Sequence, residues 1–356
     1  MSNGLTDSGV YALAIDPIST STIYAGTPSG VHKSVNGGAS WALLTNGPTF
    51  LSTYALAVNP NNPSVIYAGT QFDIYKSQDG GSTWNPVNNG LGSNGISCLA
   101  IDPINTSIVY AGKISDGIYK SLDGGGSWRP INDGLGSSYI NRLTIDPNNP
   151  SIIYAAIPSG IFKSTERGAS WIGINSNLQV RDVRKVAVDP FNSLTIYAAT
   201  TYDGIYKSID SGANWVPFND GLASLSVYSL DIDRSGIFLH AGTSGGVFDY
   251  QYNCSYSISS ATQPLPSNGG TGSLTVAAPT GCSWNASSRD SWLTISSGSI
   301  GSGNGAIDYS VTKNPNPSSR NTTLDFAGVN YPAMNSTRTS TPPASQILTV
   351  FCVKSG

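Results

Sequence analysis

The sequence predicts an all-β protein built from repeated four-stranded blades and followed by a smaller β domain. The chain of 356 residues has a single glutamate and only 11% charged residues, so residue types with high helix propensity are scarce. Runs such as "TIYAG" and "SIVYAG" favour strands. Five tryptophans recur at intervals of 43 or 44 residues, and a fixed period of this length is typical of blades and repeat arrays.

Each repeat carries the same phrases in the same order. A strand ending in Asp-Pro or a variant comes first, as in "VYALAIDP", and phrases like "IYAG" and "GIYKS" follow. A motif such as "SQDGGSTW" then leads to the tryptophan, and most units close with Asn-Gly-Leu or Asp-Gly-Leu. Four short strands separated by Gly, Pro and Asn turns are what a propeller blade requires. We therefore predict a six-bladed β-propeller over residues 1–252 and an immunoglobulin-like β-sandwich over residues 253–356.

The motif Ser-x-Asp-x-Gly-x-x-Trp gives the repeat its clearest signature. Its last position is held by Trp41, Trp84, Trp128, Trp171 and Trp215. Its third position is held by Asn36, Asp79, Asp123, Glu166 and Asp210. This motif resembles that of the Asp-box (BNR) β-propellers, and the resemblance covers residues 1 to about 252. The family includes sialidases, xyloglucanase-type glycosidases, sortilin-like receptors and a photosystem assembly factor, so the resemblance implies the fold and not one activity.

The motif residues are interpreted as structural. An Asp carboxylate accepts hydrogen bonds from its own turn, glycine supplies positive φ, and tryptophan supplies apolar contact between strands. Because Asn36 and Glu166 replace Asp in two copies, only an acceptor is needed, and we assign no catalytic residue. His32 and His240 occupy slots held by aromatic residues elsewhere and are expected at the edge of the core. The recurring lysines are expected to form a solvated stripe: Lys33, Lys76, Lys120, Lys163 and Lys207.

The sixth blade is unfinished. Its unit, residues 227 to about 252, lacks the motif and the fourth strand. At the other end, "SNGLTDSGV" aligns with "NNGLGSNGI" (residues 88–96), which follows a fourth strand, but residues 1–5 are too short to supply that strand well. Sheet edges are rarely left bare. The alternatives are a C-terminal strand folding back, a strand donated by a neighbouring chain, truncation of a longer array, or a short solvated edge.

The second domain loses the repeat and alternates apolar and polar residues between Gly, Pro and Asn turns, which suits a small β-sandwich. It resembles the BACON domain through "GCSWNASSRDSWLTI", "GSGNGAIDYSV" and the spacing of Cys254 and Cys282. The resemblance implies a glycan-binding or spacer module attached to an extracellular protein. The spacing of the two cysteines permits a disulfide, which favours an oxidising compartment.

A Pro-, Ser- and Thr-rich insertion at residues 329–345 interrupts this pattern before "QILTVFCV". It is expected to be a mobile loop, a glycosylated arm, or a hinge that lets the last strand pair elsewhere. Four Asn-x-Ser/Thr sequons are candidate glycosylation sites: Asn105, Asn285, Asn321 and Asn335.

A small group of cations stands out on the first strands of blades four and five. The slot of Ala12 and Ala55 holds Arg142 and Lys185 there, and Arg181 and Arg184 lie nearby in the sequence. These residues are either a basic patch for an anionic partner or solvated rim charges. No cofactor or metal motif is present, and the phrases of a sialidase are absent.

Composition limits the partners. With a net charge of −3, the chain lacks the clustered cations that nucleic acid binding needs. No apolar run is long enough for a transmembrane helix, and no basic–apolar leader follows Met1. We expect a non-catalytic extracellular or cell-surface protein that assembles into a filament or layer by strand donation to blade six. The alternatives are an adhesion module that binds surface glycans or proteins, and a glycoside hydrolase.

Overall fold

The strands of the chain confirm the predicted all-β class. The computed structural model describes residues 3–5, 7, 9–48, 51–178, 182–233, 238–251, 256–258, 268–278, 283–288, 290–315, 320–328 and 346–352. Within these ranges every regular element is a β-strand. The strands form eight sheets, of which six are propeller blades and two belong to the C-terminal domain.

Five blades have four strands each, in chain order. Blade one contains β1 (Ala12–Ile15), β2 (Ile23–Thr27), β3 (Gly30–Ser34) and β4 (Ala42–Leu43). Blade two contains β5 (Thr53–Val58), β6 (Ile66–Thr70), β7 (Ile74–Ser77) and β8 (Asn85–Pro86). Blade three contains β9 (Ile96–Ile101), β10 (Val109–Lys113), β11 (Ile118–Ser121) and β12 (Arg129–Pro130).

The later blades follow the same plan until the last one. Blade four contains β13 (Arg142–Ile145), β14 (Ile153–Ile157), β15 (Gly160–Ser164) and β16 (Ile172–Gly173). Blade five contains β17 (Val183–Asp189), β18 (Asn192–Thr200), β19 (Ile205–Ser208) and β20 (Val216–Pro217). Blade six contains β21 (Val227–Ile232), β22 (Phe238–Thr243) and β23 (Gly246–Gln251), and no described strand joins it as a fourth. The predicted gap in the sixth blade is therefore confirmed for the described residues.

Neighbouring blades are joined by their first strands and by a repeated tyrosine–lysine pair. First strands contact one another, as β1 does β5 and β5 does β9. In blade two, Tyr67 Oη and Lys76 Nζ both donate to the carbonyl of Gly124 in the motif turn of blade three, at 2.9 and 2.8 Å. The same arrangement joins Tyr24 and Lys33 to Gly80. The expected solvated stripe of lysines is wrong at these junctions, because the ammonium groups bind a buried carbonyl of the next blade.

The C-terminal domain is a sandwich of two four-stranded sheets. Its strands are β24 (Ser257–Ile258), β25 (Gly270–Ala277), β26 (Ser283–Ser288), β27 (Leu293–Ser297), β28 (Ile300–Ser302), β29 (Gly305–Val311), β30 (Arg320–Gly328) and β31 (Gln346–Cys352). One sheet has the order β24-β25-β29-β27 and the other β28-β26-β30-β31. Trp284 of one sheet and Leu274, Ile307 and Tyr309 of the other share a single buried core, as the predicted sandwich requires.

The last strand lies in this sandwich. β31 pairs with β30 in antiparallel register from Arg320 opposite Cys352 to Phe326 opposite Gln346. The described strand "QILTVFC" is thus part of the C-terminal sheet rather than of blade six, and this answers one of the alternatives raised for the open blade. Residues 329–345 lie outside the described residues.

By packing, the chain divides into two compact units. The first contains Met1–Val188, Ile196–Leu230 and Ala241–Phe248. The second contains Asp189–Thr195, Asp231–His240 and Asp249–Gly356, so it combines the sandwich with short segments of blades five and six. The boundary at residue 252 marks the end of the sequence repeat and stays a prediction.

Candidate functional site

The aspartates of the motif are held by donors of their own turns. Asp79 Oδ1 accepts hydrogen bonds from Ser77 Oγ and from the Thr83 N–H, both at 2.8 Å, and Asp79 Oδ2 accepts from the Thr83 hydroxyl at 2.6 Å. The Thr83 hydroxyl is the largest cause of a lowered pKa, and together the donors bring the pKa of Asp79 to about 2. A carboxylate with this pKa is a poor proton donor at neutral pH.

The other copies show what the turn needs. Asp123 is bound in the same way by Ser121 and Ser127, at 2.7 to 2.8 Å. Asn36 reproduces the network without a charge: its Oδ1 accepts from Ser34 Oγ and from the Ser40 N–H, both at 2.9 Å. A neutral amide can therefore replace the carboxylate, which supports the interpretation that these residues serve as acceptors.

Acid is expected to loosen these turns. The folded-state pKa of Asp79 and Asp123 is about 2, below the ordinary value of 3.8, so their contribution to stability is present above pH 3.8 and is lost as the pH falls towards 2. Thermal unfolding of the double variant D79N/D123N should depend less on pH in that window than unfolding of the wild type. The reverse change N36D should steepen the dependence. Equal slopes for all three proteins would contradict the assignment.

Blade six presents an open sheet edge, and this edge is the candidate functional site. An aliphatic residue occupies the first or second position of the third strand in every blade. In the five complete blades it is at most 3% exposed: Val31, Ile74, Ile118, Ile161 and Ile205. The equivalent Val247 on β23 is 80% exposed, whereas its counterparts in blades one to four are buried in cores shared with the next blade. In complete blades the carbonyl of this residue also accepts a hydrogen bond from the residue after the fourth strand, as Ile118 does from Ile131 at 2.9 Å.

The N-terminal segment marks where such a fourth strand belongs. The Asn3 carbonyl accepts from the Trp41 N–H at 2.9 Å, as the Asn89 carbonyl does from Trp128 at 2.8 Å. Gly4 and Gly90 both have φ of 84° and both lie against the tryptophan carbonyl. Asn3–Gly4 thus takes the place on blade one that Asn89–Gly90, directly after a fourth strand, takes on blade three. In the repeat, a fourth strand comes shortly before this segment in the chain, as β8 (Asn85–Pro86) comes before Asn89–Gly90.

Two of the four residues in the predicted basic group are engaged with protein acceptors. The Arg142 guanidinium donates to the carbonyls of Ser97 and Asn141. Arg184 pairs with Asp182 at 2.9 Å and donates from Nε to Thr201 Oγ1 at 2.6 Å. Lys185 lies half-buried in β17. Arg181 lies outside the described residues. The charge of Arg184 is therefore balanced by a carboxylate within its own blade.

Several described carboxyl groups have a lowered pKa. A glycosidase needs one carboxylic acid with a raised pKa near a second carboxylate. Side-chain hydrogen bonds lower the pKa of six described carboxyl groups: Asp7, Asp79, Asp116, Asp123, Asp210 and Asp308. Within the described residues, no group of three His, Cys, Asp or Glu side chains is placed to hold a metal ion.

The histidines differ from one another. His32 is 1% exposed, in keeping with its aromatic slot, and burial lowers its pKa. His240 keeps 41% of its side chain exposed and its Nδ1 lies 2.7 Å from Asp249 Oδ1.

Lys113 is a buried, ion-paired cation that the sequence analysis did not single out. Its side chain is fully buried, and its Nζ donates to the Leu91 carbonyl and, at 2.8 Å, to Asp116 Oδ2. Its Nζ also lies 4.8 Å from the centroid of the Tyr119 ring. The signal was a break in the repeat, because four other blades hold threonine at this position: Thr27, Thr70, Thr200 and Thr243.

Half of the residues in the disulfide and sequon predictions lie outside the described residues. Cys98 is a buried free thiol, and burial raises its pKa. Cys254 and Cys282 lie outside the described residues, so their disulfide stays a prediction. Asn105 is exposed, Asn285 is half-buried on β26, and Asn321 lies on β30. Asn335 lies outside the described residues. Among the described residues no helix is long and apolar enough to cross a membrane.

Solved structures resemble this chain in fold. An ancestral GH74 enzyme matches with a TM-score of 0.59 and 21% identity, over 78% of this chain and 37% of its own length. A GH74 enzyme from Niastella koreensis gives a TM-score of 0.56 and 23% identity, over 76% of this chain and 50% of its own. YCF48 from Cyanidioschyzon merolae gives 0.51 and 17% identity, over 66% of this chain and 80% of its own.

These similarities show a β-propeller and leave the activity open. The chain spans half or less of the length of the two GH74 enzymes. No family model and no curated protein matches the sequence. At identities of 17% to 23%, what the enzymes do does not transfer to this chain, because one fold carries many functions.

Proposed function

We propose that this chain is a non-catalytic interaction or structural protein of the cell surface or extracellular space. In this proposal it belongs to the Asp-box propellers, carries a BACON-like sandwich, and assembles into a filament or layer when a strand from a second copy completes blade six. The observation that carries the proposal is that each of the five other blades has a fourth strand paired to its third, whereas no described strand joins β23 as a fourth.

The physical argument is the cost of an unfinished sheet. The edge of a six-residue strand presents unpaired N–H and C=O groups that template another strand. A strand added along β23 would pair these groups through main-chain hydrogen bonds, each of which contributes on the order of 0.5–1.5 kcal/mol. Strand addition of this kind is an established mode of association, in which the backbone gives affinity and alternate side chains give specificity.

A charged substitution on the open edge is expected to block assembly. Light scattering across a concentration series, with electron microscopy of the largest species, should show assembly of the wild-type protein. V247K should remain monomeric, because a lysine on an edge strand disfavours pairing. V35K is the matched control: Val35 is 66% exposed in the motif turn of blade one, where blade two carries Gln78. Assembly of V247K like the wild type, or wild-type monomers at every concentration, would overturn the proposal.

The non-catalytic part rests on the carboxyl groups. Those described on the propeller with a lowered pKa are bound by donors of their own surroundings, such as Asp7 by the Ser29 hydroxyl at 2.5 Å. The likeness to GH74 enzymes keeps glycoside hydrolysis as an alternative. Release of reducing ends from soluble polysaccharides by the purified protein would establish that alternative in place of ours.

Glycan adhesion is the other alternative. It rests on the resemblance of the C-terminal sandwich to a module attached to carbohydrate-active proteins. Binding of the protein to immobilised glycans that survives V247K would favour adhesion without assembly.

A further inference from the structure

A cleft at the junction of blades three and four gathers positive charge. It has a volume of about 410 Å³ and is lined by Lys120, Arg129 and Arg167, with Asp133 as its one carboxylate and Ile131 and Asn132 on its wall. Arg129 lies on β12 of blade three, and Arg167 lies in the motif turn of blade four. Three cations therefore meet one acid in a concave space.

This charge is particular to one junction. The lysine recurs in the five complete blades, but the two arginines do not. The slot of Arg129 holds Ala42, Asn85, Ile172 and Val216 in the other complete blades. The slot of Arg167 holds Gly37, Gly80, Gly124 and Ser211. Neither arginine is therefore required by the blade itself.

Arg167 occupies its place against backbone preference. Its φ is 56°, in the left-handed region where glycine fits best, and Gly80 and Gly124 adopt φ of 69° and 67° in the same slot. Ser211 adopts φ of 58° at the same slot of blade five, so the motif turn sets this conformation, and the long charged side chain is what is particular to Arg167. The Nε of Arg167 is buried without a hydrogen-bond partner, and its Nη2 lies 4.0 Å from Asp102 Oδ2, at the limit of an ion pair.

Asp102 is a partial counter-ion for two of the three cations, Arg167 and Lys120. Lys120 Nζ donates to the Arg167 carbonyl at 2.9 Å. Within the described residues the Arg129 guanidinium makes no hydrogen bond or ion pair. Burial first, and then the charges of Arg129 and Arg167, lower the pKa of Lys120, while the charge of Asp102 opposes part of this shift. An anion placed between these groups would relieve their repulsion.

We propose that this cleft binds an oxyanion, a carboxylate, sulfate or phosphate, carried by a ligand no larger than a sugar unit. A volume of about 410 Å³ lies at the low end for small-molecule sites. The planar forks of two arginines suit bidentate binding of such groups. The apolar side chain of Ile131 and the polar groups of Asn132 and Asp133 supply contacts for the rest of the ligand. This site is independent of the open edge of blade six.

Titration calorimetry at low salt tests the site with sodium sulfate, sodium phosphate and sodium glucuronate, and with glucose as the neutral control. The wild type should bind the anions and not glucose. The variants R129N and R167G carry the residues that blades two and three have at these slots, so they should fold. Each should weaken anion binding on the order of tenfold, as expected for a lost charged hydrogen bond.

The variant K76Q tests whether anion binding depends on this cleft or on the lysine that every complete blade carries. Lys76 holds the same slot as Lys120 but stands at a junction with Asn85 and Gly124 in place of the arginines. K76Q should bind the anions as the wild type does. Tighter binding of glucuronate than of sulfate would identify a sugar acid, and equal binding would identify a free inorganic anion. No binding by the wild type, or equal affinity in R129N, R167G and the wild type, would overturn the proposal.

Discussion

Replacing Trp171 with alanine is expected to lower the free energy of unfolding by about 3–5 kcal/mol. Trp171 is 2% exposed and shares a core with Tyr110, Ile140 and Ile153, which come from blades three and four. Its Nε1 donates to the Ile131 carbonyl of the preceding blade at 2.8 Å. Truncation would leave a large cavity and an unpaired carbonyl at the junction, so both terms act in the same direction.

Denaturant unfolding of W171A measures this loss, and the repeat offers an internal control. Trp41 holds the same place in blade one, is only half-buried, and donates to Gly38 of its own turn at 3.1 Å. W41A should therefore cost clearly less than W171A. Equal losses would show that the tryptophan acts within its turn rather than between blades.

The second large effect concerns the spacing of the inner strands. A Cβ added to Gly112 would lie 2.5 Å from Cys98 Sγ and 2.7 Å from Ile140 Cγ2. G112A is therefore expected to cost about 1–3 kcal/mol through overpacking. At the junction of blades four and five, Ala156 stands where blade three has Gly112, and the smaller Val183 stands where blade four has Ile140. Ala156 and Val183 share one buried core.

A double-mutant cycle tests whether these sizes are matched. Adding I140V to G112A copies the alanine–valine pairing of Ala156 and Val183 and should recover part of the loss. The two substitutions should thus be less destabilising together than the sum of the single variants. Additive free energies of unfolding would contradict direct packing of residue 112 against residue 140.

Much of the fold was predictable because its signals are local. The period of the tryptophans, the glycine turns and the short β-rich runs fix each blade within about 44 residues. The end of the repeat at blade six was visible for the same reason. The sequence left open where "QILTVFCV" pairs, because strand pairing over a long insertion depends on tertiary contacts that no local pattern encodes.

The side-chain contacts between blades were harder to predict. Lys76 looked like a solvated cation, since its sequence neighbours do not reveal that Gly124 of the next blade presents a carbonyl 2.8 Å away. Arg184 belonged to a predicted basic patch, yet Asp182, two positions earlier, takes up its charge.

The informative signals were departures from the repeat. Arg129, Arg167 and Lys113 each replace the residue types that the other blades carry at the same slots. Val247 shows the complementary case. It keeps the aliphatic side chain of its slot and is 80% exposed, whereas its counterparts are buried in cores shared with the next blade, as Ile74 is with Ile96 and Val109 of blade three.

Hydrogen–deuterium exchange of the backbone amides of Gly246–Gln251 tests the central claim most directly. Exchange is compared between dilute monomer and assembled protein, with Ile205–Ser208, the third strand of a complete blade, as the internal reference. Strand addition to blade six predicts that exchange in Gly246–Gln251 slows markedly on assembly while the reference strand stays protected in both states. Unchanged, rapid exchange of Gly246–Gln251 in the assembled protein would contradict the account.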